Sequence, residues 1–571
     1  MSWSSWEMIQ NLKNSNYDNS NRLDFKLCYY LCANKEKLEE LRNSRNEVVY
    51  GRRGTGKTTL FKAFSHYINH DMANNSICFY VSLDECIPSD IESFGDNTNA
   101  VINYSIKALL YELRKFLVTI YPSLPKSLNQ SEEKKRAIEN KICILTDVIE
   151  NDAKCVIQEV ESSNRTQNES LEDGIGGNVG LTLEKKNLLD FRWKKNRGKK
   201  VETVLTSNQT IIKRMDCMKI RERFEDLVHE MGCNPFYICI DEFSEIDRDF
   251  SYTVQPKVAQ KIKELFFQSK HVCVKIASVW NLSRMQNRQV YGCREGLELG
   301  HDIFENNELN LDTMFSNSNE DAVTFFKKYI MNSVMMSSVM KMTKREREIY
   351  QEYIIDTIFS QGSLKHLICG SQGIPRIFGT LFHSCLCKLV KKEQEKITVN
   401  IVYTSIIEDY KKNVRHSIPY DSPICRAIDK YVTKYHKRFF LISTEDYHNT
   451  SNYFDGLVAN NALHQCPSEQ LPRELRNDYI MFIVHYGNYL ESFHGRSTLN
   501  EDTVELDSGN LYPELEDDLW VNTKRYVLKI PENALDEMYC TKCKKYFKCG
   551  DSSNHGIKIC PSCNSIIANW F

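Results

Sequence analysis

The chain has 571 residues and a mass of 66.7 kDa, with 41% hydrophobic and 26% charged residues, which excludes a mostly disordered chain and predicts about two to four domains. Lysine and arginine total 74 and the acidic residues 76, so the net charge is −2 and any nucleic-acid contact must come from a local basic patch. Neither a long apolar run nor an N-terminal secretion signal is visible, so we expect a cytoplasmic protein without membrane contact whose 21 cysteines are reduced, apart from any that bind metal.

The first predicted elements are a strand at 46–50 and a helix beginning at Leu60, joined by a glycine-rich loop. The loop matches the pattern G-x-x-x-x-G-K-[ST], in which backbone N–H groups surround phosphates, the lysine reaches the β- and γ-phosphates and the hydroxyl binds Mg²⁺. An ordinary glycine turn before a helix is the alternative. We therefore predict an ATP site in which Lys57 binds phosphate and Thr58 binds Mg²⁺. The predicted nucleotide-binding residues are Gly51, Arg52, Arg53, Gly54, Thr55, Gly56, Lys57, Thr58 and Thr59.

Surplus sequence separates this loop from the next part of the predicted site. A strand at 77–83 and a helix at 100–118 come first, and the stretch at about 125–205 then exceeds the roughly 30 residues of one strand–helix–strand crossover. Apolar residues spaced by three or four predict an amphipathic helix in its first part. This insertion either contacts partners or regulates the site, or it is a tolerated surface excursion. The apolar positions are Ile138, Ile142, Leu145, Ile149, Ala153, Val156 and Val160.

A basic segment with two aromatic residues, Phe191 and Trp193, ends the insertion. Positive charge with interleaved aromatics can bind phosphates and stack on bases, so DNA or RNA is one predicted partner. A solvated loop is the other interpretation, because charge runs of this size commonly face water. The candidate contacts are Lys194, Lys195, Arg197, Lys199 and Lys200.

Two acidic residues follow a continuous apolar run at 236–240. Such a run predicts a parallel strand buried on both faces. Asp241 at its end is predicted to hold Mg²⁺, and Glu242 is predicted to polarise the attacking water. The acid pair favours hydrolysis over phosphorylation of a small molecule; a charged loop after a core strand is the alternative.

Polar residues also follow the next predicted strand. A helix is predicted at 256–266 and a buried strand at 272–277, and Ser278 and Asn281 come just beyond that strand. At this place they can sense a γ-phosphate, although polar residues follow most strands.

The last predicted strand of the core is 309–311, and a helix-rich stretch begins at about 320. Within it, Gly373-Ile374-Pro375-Arg376 precedes a predicted helix at 377–390.

In this order, the phosphate loop, the acid pair, the polar residue and the Gly-x-Pro-Arg step resemble the AAA+ ATPases. Within them the resemblance is to the branch of origin-recognition initiators and STAND signalling ATPases, and it covers residues of about 20–400. It implies an α/β P-loop core with a parallel sheet and a helical lid. It also implies that Arg376 is the lid arginine at the γ-phosphate, with a surface helix residue as the alternative, and that Ser278 or Asn281 is the first sensor.

AAA+ proteins commonly complete their site with an arginine from a neighbouring subunit, so the resemblance implies a homo-oligomer whose assembly could depend on nucleotide. Arg284, Arg288 and Arg294 stand in the expected part of the chain. No motif selects among them, and Arg294 is our candidate for the arginine finger.

The region 401–535 is expected to be a winged-helix-like domain or another α+β domain. A helix at 421–435, a strand at 438–443 and a helix at 453–460 are predicted there. Order along the chain is the main support for a winged helix, and the acidic stretch at 500–518 argues against a uniformly DNA-facing surface.

Two C-x-x-C pairs in the segment 536–571 resemble a zinc ribbon. The pattern lets two hairpins place four thiolates at the corners of a tetrahedron around Zn²⁺, whose binding supplies the folding energy that so short a segment lacks. A redox dithiol is the competing interpretation, and Cys549 or His555 could replace a ligand. The predicted zinc ligands are Cys540, Cys543, Cys560 and Cys563.

The predicted order is therefore an ATPase core at 1–315, a helical lid at 316–400, an α+β region at 401–535 and the ribbon at 536–571. We expect a Mg²⁺-dependent ATPase whose ATP binding and hydrolysis drive assembly or conformational change. Family-level analogy extends this expectation to nucleic acid and to bacterial or archaeal anti-phage defence with a partner effector protein. The alternative is a slow-turnover signalling switch or a nucleotide-dependent binding scaffold.

Overall fold

The computed structural model describes residues 35–86, 98–150, 216–247, 254–279, 283–288, 294–305, 309–316, 318–337, 344–392, 394–418, 422–493, 509–512, 519, 522–531, 537–539, 546–548, 557–559 and 566–568. The chain divides into two compact units. One unit is Ser131–Met231, and the other comprises Met1–Gln130 together with Gly232–Phe571.

The first part of the larger unit alternates strands with helices. Its helices are α1 (Lys35–Leu41), α2 (Lys57–His70), α3 (Thr98–Lys115), α4 (Pro125–Leu128) and, after the smaller unit, α7 (Val254–Ile262). Its strands are β1 (Glu47–Tyr50), β2 (Ile77–Ser82), β3 (Phe236–Asp241), β4 (Val272–Ser278), β5 (Gln286–Arg288), β6 (Arg294–Gly296) and β7 (Phe304–Glu305).

Among the described residues, five parallel strands form one sheet in the order β2-β3-β4-β1-β7. Every residue of β3 and β4 is buried, as expected for apolar runs covered on both faces. The predicted α/β class with a parallel sheet is confirmed. Because parallel strands share one carboxyl edge, the segments after β1 and β3 come to the same side of the sheet.

The predicted last strand at 309–311 is wrong, because the fifth strand is β7 (Phe304–Glu305). Leu309 and Leu311 are buried, and the Leu311 N–H donates to the Tyr50 carbonyl at 2.8 Å. The Asn310 side chain accepts from the Asp312 N–H at 3.0 Å, and its carbonyl accepts from the Thr313 N–H at 3.2 Å. These bonds turn the chain after a single contact with the sheet, so the alternation of leucines reflects burial in a turn.

The smaller unit contains a helix at 132–150 (α5) and helix α6 (Cys217–Met231). Ile138, Ile142, Leu145 and Ile149 are buried, so the predicted apolar face is confirmed over this range; Ala153, Val156 and Val160 lie outside the described residues. Lys141 pairs with Glu230 at 3.2 Å and donates to the Asp226 carbonyl at 3.2 Å. Helix α6 therefore belongs with the insertion and extends it beyond residue 205.

The region that we call the lid, residues 319–409, contains helices α8 (Asn319–Ser337), α9 (Lys344–Ile358), α10 (Ser363–Gly370), α11 (Pro375–Lys391) and α12 (Val399–Asp409). The predicted helix at 377–390 is confirmed as α11, which begins at Pro375, since proline is preorganised for the first helical turn.

The C-terminal region, residues 422–531, contains α13 (Pro423–Tyr435), β8 (Phe439–Ser443), α14 (Thr444–Ala459), β9 (Leu463–Gln465), β10 (Tyr479–Val484) and α15 (Tyr486–Phe493). Its strands pair antiparallel in the order β8-β10-β9. Helix α14 begins at Thr444 rather than at the predicted Tyr453, because the Ser443 side chain caps it by accepting from the Asp446 N–H.

The lid and the C-terminal region share one continuous apolar core, which extends from Phe315 to Leu528. A separate cluster lies under α2 and includes Leu60, Phe61 and Phe64. In the part of the chain that the structure describes, no helix is both long and apolar enough to cross a membrane, and no cysteine forms a disulfide.

Candidate nucleotide site

The phosphate loop leaves the carboxyl end of β1 and enters α2. Gly54 and Gly56 have φ angles of 87° and 103°, a left-handed backbone that strains other residues. A Cβ at Gly54 would lie 2.8 Å from the Arg376 Cβ, and one at Gly51 would lie 2.4 Å from the Thr55 Oγ1. Both the conformation and the close approach therefore require glycine, as a backbone that wraps a phosphate does.

Lys57 is buried at the first position of α2. Its Nζ donates to the carbonyls of Gly51 at 2.7 Å and Arg52 at 3.0 Å. Burial lowers the pKa of the Lys57 ammonium, and the carboxylates of Asp241, Asp312 and Glu242 oppose that shift. The ammonium is thus held inside the loop, next to the place where phosphates bind in loops of this pattern.

Asp241 ends β3 and is fully buried, and both of its carboxylate oxygens accept hydrogen bonds. Tyr80 Oη donates to Oδ2 at 3.1 Å, and the Glu242 N–H donates to Oδ1 at 2.9 Å. These bonds fix the carboxylate at the same edge of the sheet as the loop. Carboxylate and hydroxyl oxygens are ligands that Mg²⁺ prefers, so Asp241 and Thr58 have the chemistry of a magnesium site.

Glu242 is half-buried and has a φ of 54°. Burial raises its pKa, and the adjacent Asp241 carboxylate raises it further. A left-handed non-glycine residue costs conformational energy, and such residues cluster at active sites. A carboxylate with a raised pKa accepts a proton more readily, which is the property of a general base.

The next candidates are the predicted sensors Ser278 and Asn281 and the three candidate arginine fingers after β4. Ser278 ends β4 and is fully buried, its carbonyl accepts from the Gly51 N–H at 3.2 Å, and its hydroxyl donates to Ser283 Oγ. It supports the base of the loop. Asn281 lies outside the described residues. Arg284 is exposed in a loop, and Arg288 and Arg294 lie on the paired strands β5 and β6.

Arg376 lies beside the phosphate loop, although it stands 322 positions after Gly54 in the chain. Its N–H donates to the Gly54 carbonyl at 3.3 Å, and its side chain is exposed. The Arg376 charge also acts on Lys57 and lowers the pKa of that ammonium. Helix α11 therefore places the Arg376 cation beside the phosphate loop, and its action on a γ-phosphate stays a prediction.

Three residues at the site lack a sequence motif: Tyr80, Asp312 and Gln372. The Asp312 carboxylate accepts from the Arg52 N–H and from Arg52 Nε, each at 3.0 Å. Arg52 Nη1 donates to Gln372 Oε1, and Nη2 donates to the Gln372 carbonyl at 3.3 Å. Position next to Gly373-Ile374-Pro375-Arg376 is the one signal that pointed toward Gln372.

Arg53 points away from this network. It is exposed and pairs with Glu245 at 2.7 Å.

The remaining predicted sites lie outside the described residues. These are the basic segment at 191–200 and the cysteines Cys540, Cys543, Cys560 and Cys563, with Cys549 and His555. Among the residues that the structure describes, no group of three or more histidine, cysteine or acidic side chains is arranged to hold a metal.

No known protein-family model matches the sequence, and no curated protein matches it. Among solved structures, a Walker-type ATPase of Pyrococcus abyssi is similar at 11% identity and a TM-score of 0.30, covering 80% of this chain and 94% of that one. The ORC2 protein of Aeropyrum pernix is similar at 9% identity and a TM-score of 0.26, covering 84% and 94%. Likenesses this distant assign neither fold nor function, so the site's own geometry has to carry the assignment.

Proposed function

We propose that this protein is a Mg²⁺-dependent ATPase of the AAA+ type. One observation carries the proposal: the buried Lys57 ammonium of a glycine loop lies at the same edge of the parallel sheet as Asp241 and Glu242 at the end of β3, whose charges act on it. The exposed Arg376 of the lid adds a second cation at the same loop. Loop, paired acids and lid cation together are the groups that phosphoryl transfer to water requires.

In the proposed reaction, the loop N–H groups and Lys57 bind the β- and γ-phosphates of ATP. Thr58 and Asp241 would hold Mg²⁺, which when bound neutralises phosphate charge. Glu242 orients a water molecule and accepts its proton as the water oxygen bonds to the γ-phosphorus. The bond from that phosphorus to the β–γ bridging oxygen breaks and leaves ADP and phosphate.

Lys57→Ala tests the nucleotide site directly. We expect affinity for Mg²⁺-ATP to fall by about 10- to 150-fold, because a hydrogen bond to a charged group contributes about 1.5–3 kcal/mol. Equilibrium binding of a fluorescent ATP analogue to the full chain measures this. Lys261→Ala, which removes the same charge from a surface pair with Glu264, is the matched control. Equal affinities of Lys57→Ala and wild type would contradict the proposed site.

A slow-turnover switch is the second candidate function, favoured by the contacts of Arg52 with Gln372, which join the loop to the lid. A switch would bind ATP through the same residues as a motor-like ATPase and would differ from it in the rate of ATP turnover. Turnover of about 1 per second or faster indicates a motor-like ATPase, whereas about 10⁻⁴ per second indicates a switch.

We also propose a structural zinc site at the C-terminal cysteines. Strand β11 (Glu537–Tyr539) pairs antiparallel with β12 (Tyr546–Lys548), and β13 (Ile557–Ile559) pairs with β14 (Ile566–Ala568). In each hairpin the first cysteine of a C-x-x-C pair directly follows the first strand in sequence. Two hairpins of the same length and register, each carrying two thiols, suit the four-thiolate zinc pattern.

Metal analysis of the purified full chain should find about one Zn²⁺ per molecule. Cys540→Ser should lower the zinc content and the resistance of the tail to protease, since zinc supplies its folding energy. Cys143→Ser, at an exposed cysteine of α5, is the control and should retain the metal. Native protein without zinc would exclude the site.

A further inference from the structure

Arg52 contacts the phosphate-binding end of the loop and the lid at the same time. Its carbonyl accepts from Lys57 Nζ at 3.0 Å and from Thr55 Oγ1 at 2.9 Å. Its guanidinium, buried with only 4% of the residue exposed, donates to Asp312 and Gln372. Arg52 therefore joins the Lys57 ammonium, which we propose binds phosphate, to Gln372, which directly precedes the segment Gly373-Ile374-Pro375-Arg376 of the lid.

Gln372 also contacts the C-terminal region. Its Oε1 accepts from Arg52, and its Nε2 donates to the Asn461 carbonyl at 2.8 Å, in the turn between α14 and β9. Gln372 and Asn461 both have left-handed backbones, with φ of 53° and 58°. Strained non-glycine residues persist only where their surroundings hold them, and they recur in switch regions.

A second contact reaches the same place. Tyr512 Oη donates to the Asp312 carbonyl at 3.0 Å, and the Asp312 carboxylate holds Arg52. Arg438, directly before β8, donates to the carbonyls of Asn510 and Leu511. The C-terminal region is thus hydrogen-bonded to both residues that hold the Arg52 guanidinium.

Resting on the proposed nucleotide site, we infer that Arg52 is a positioning residue that transmits occupancy of the phosphate loop through Gln372 to the C-terminal region. A bound phosphate competes with the carbonyls of Gly51 and Arg52 for the Lys57 ammonium. Loss of the bond from Lys57 changes the Arg52 peptide, and the guanidinium moves with it. Because the lid and the C-terminal region share one core, the change at Gln372 acts on both.

Gln372→Glu should keep the contact of residue 372 with Arg52 while removing its contact with Asn461. The carboxylate keeps an acceptor for Arg52 but lacks the N–H that donates to the Asn461 carbonyl. Gln470→Glu is the matched control: Gln470 Nε2 also joins the C-terminal region to a backbone carbonyl, that of Ser316, without involving Arg52.

Hydrogen exchange of the full chain, with and without a non-hydrolysable Mg²⁺-ATP analogue at saturation, measures the transmission. In wild type and Gln470→Glu, exchange of the peptide 457–466 should change by about fivefold or more on binding, the lower range of allosteric coupling. Gln372→Glu should lose that change. Tyr512→Phe, which removes only the bond to Asp312, should reduce the change in exchange at 457–466. This variant tests the transmission if Gln372→Glu misfolds.

Three results would overturn the inference: wild type that binds nucleotide without any change at 457–466, a folded Gln372→Glu that keeps the full change, or, if Gln372→Glu misfolds, a folded Tyr512→Phe that keeps it. Failure of wild type to bind the analogue at all is distinguishable, because it removes the proposed function itself.

Discussion

Glu242→Gln should lower ATP turnover by about 100- to 10,000-fold, the range that a positioned general base contributes, while Mg²⁺-ATP stays bound. Glutamine keeps the shape of the side chain but cannot accept the proton of the attacking water. Phosphate release under saturating ATP gives the turnover, and equilibrium binding gives the affinity. Because Glu242 is half-buried beside another carboxylate, the neutral variant should be at least as stable as wild type.

The pH profile provides an independent check. Burial raises the Glu242 pKa above its ordinary value of 4.5, so the active carboxylate form is lost as the pH falls through that raised value. The acid limb of the wild-type turnover profile should therefore lie above pH 4.5. In Glu242→Gln the residual turnover should lack this limb.

Glu264→Gln, the same substitution on the surface after α7, is the control and should leave turnover unchanged. Wild-type turnover in Glu242→Gln would show that another group accepts the proton.

Glu47→Gln should destabilise the sheet by about 3–5 kcal/mol, since it leaves a buried ammonium without its anion. Lys275 Nζ lies 2.9 Å from Glu47 Oε2, and the two side chains are 0% and 1% exposed. Asn43 is the third member: its carbonyl and Oδ1 accept from Lys275, and its Nδ2 donates to Glu47. Hydrogen exchange of the strands β1 and β4 across a urea series measures the free energy of opening.

The double variant Glu47→Leu/Lys275→Met should recover much of the loss, because apolar residues of similar size remove both buried charges. Glu352→Gln, which breaks an exposed pair with Lys327, should cost at most about 1 kcal/mol. A loss in Glu47→Gln no larger than that of this surface control would show that water reaches Lys275.

The amino-acid sequence by itself determined the parts of this protein that depend on neighbouring residues. The strand, loop and helix around Lys57 lie within a short stretch, and their glycines, lysine and apolar periodicity need no distant partner to be recognised. The acid pair at the end of β3 and the helix that begins at Pro375 are local in the same sense. The error at 309–311 has the converse cause: a buried turn and a short strand share the same leucine alternation, and the Asn310 hydrogen bonds that distinguish them appear only in the folded chain.

Tertiary structure alone decided which distant residues complete the site. Arg52 meets Asp312, 260 residues away, and Gln372, 320 residues away, and Gln372 in turn meets Asn461, 89 residues away. No sequence motif identifies these contacts, because asparagine and aspartate are common at turns and the partners of all three side chains are set by packing. The sheet order β2-β3-β4-β1-β7 brings the ends of β1 and β3 to one edge, and the shared core of the lid and C-terminal region brings Gln372 and Asn461 to that edge. The local chemistry of the phosphate loop could therefore be predicted from the sequence, whereas the contacts that join the loop to the lid and the C-terminal region are set by long-range packing.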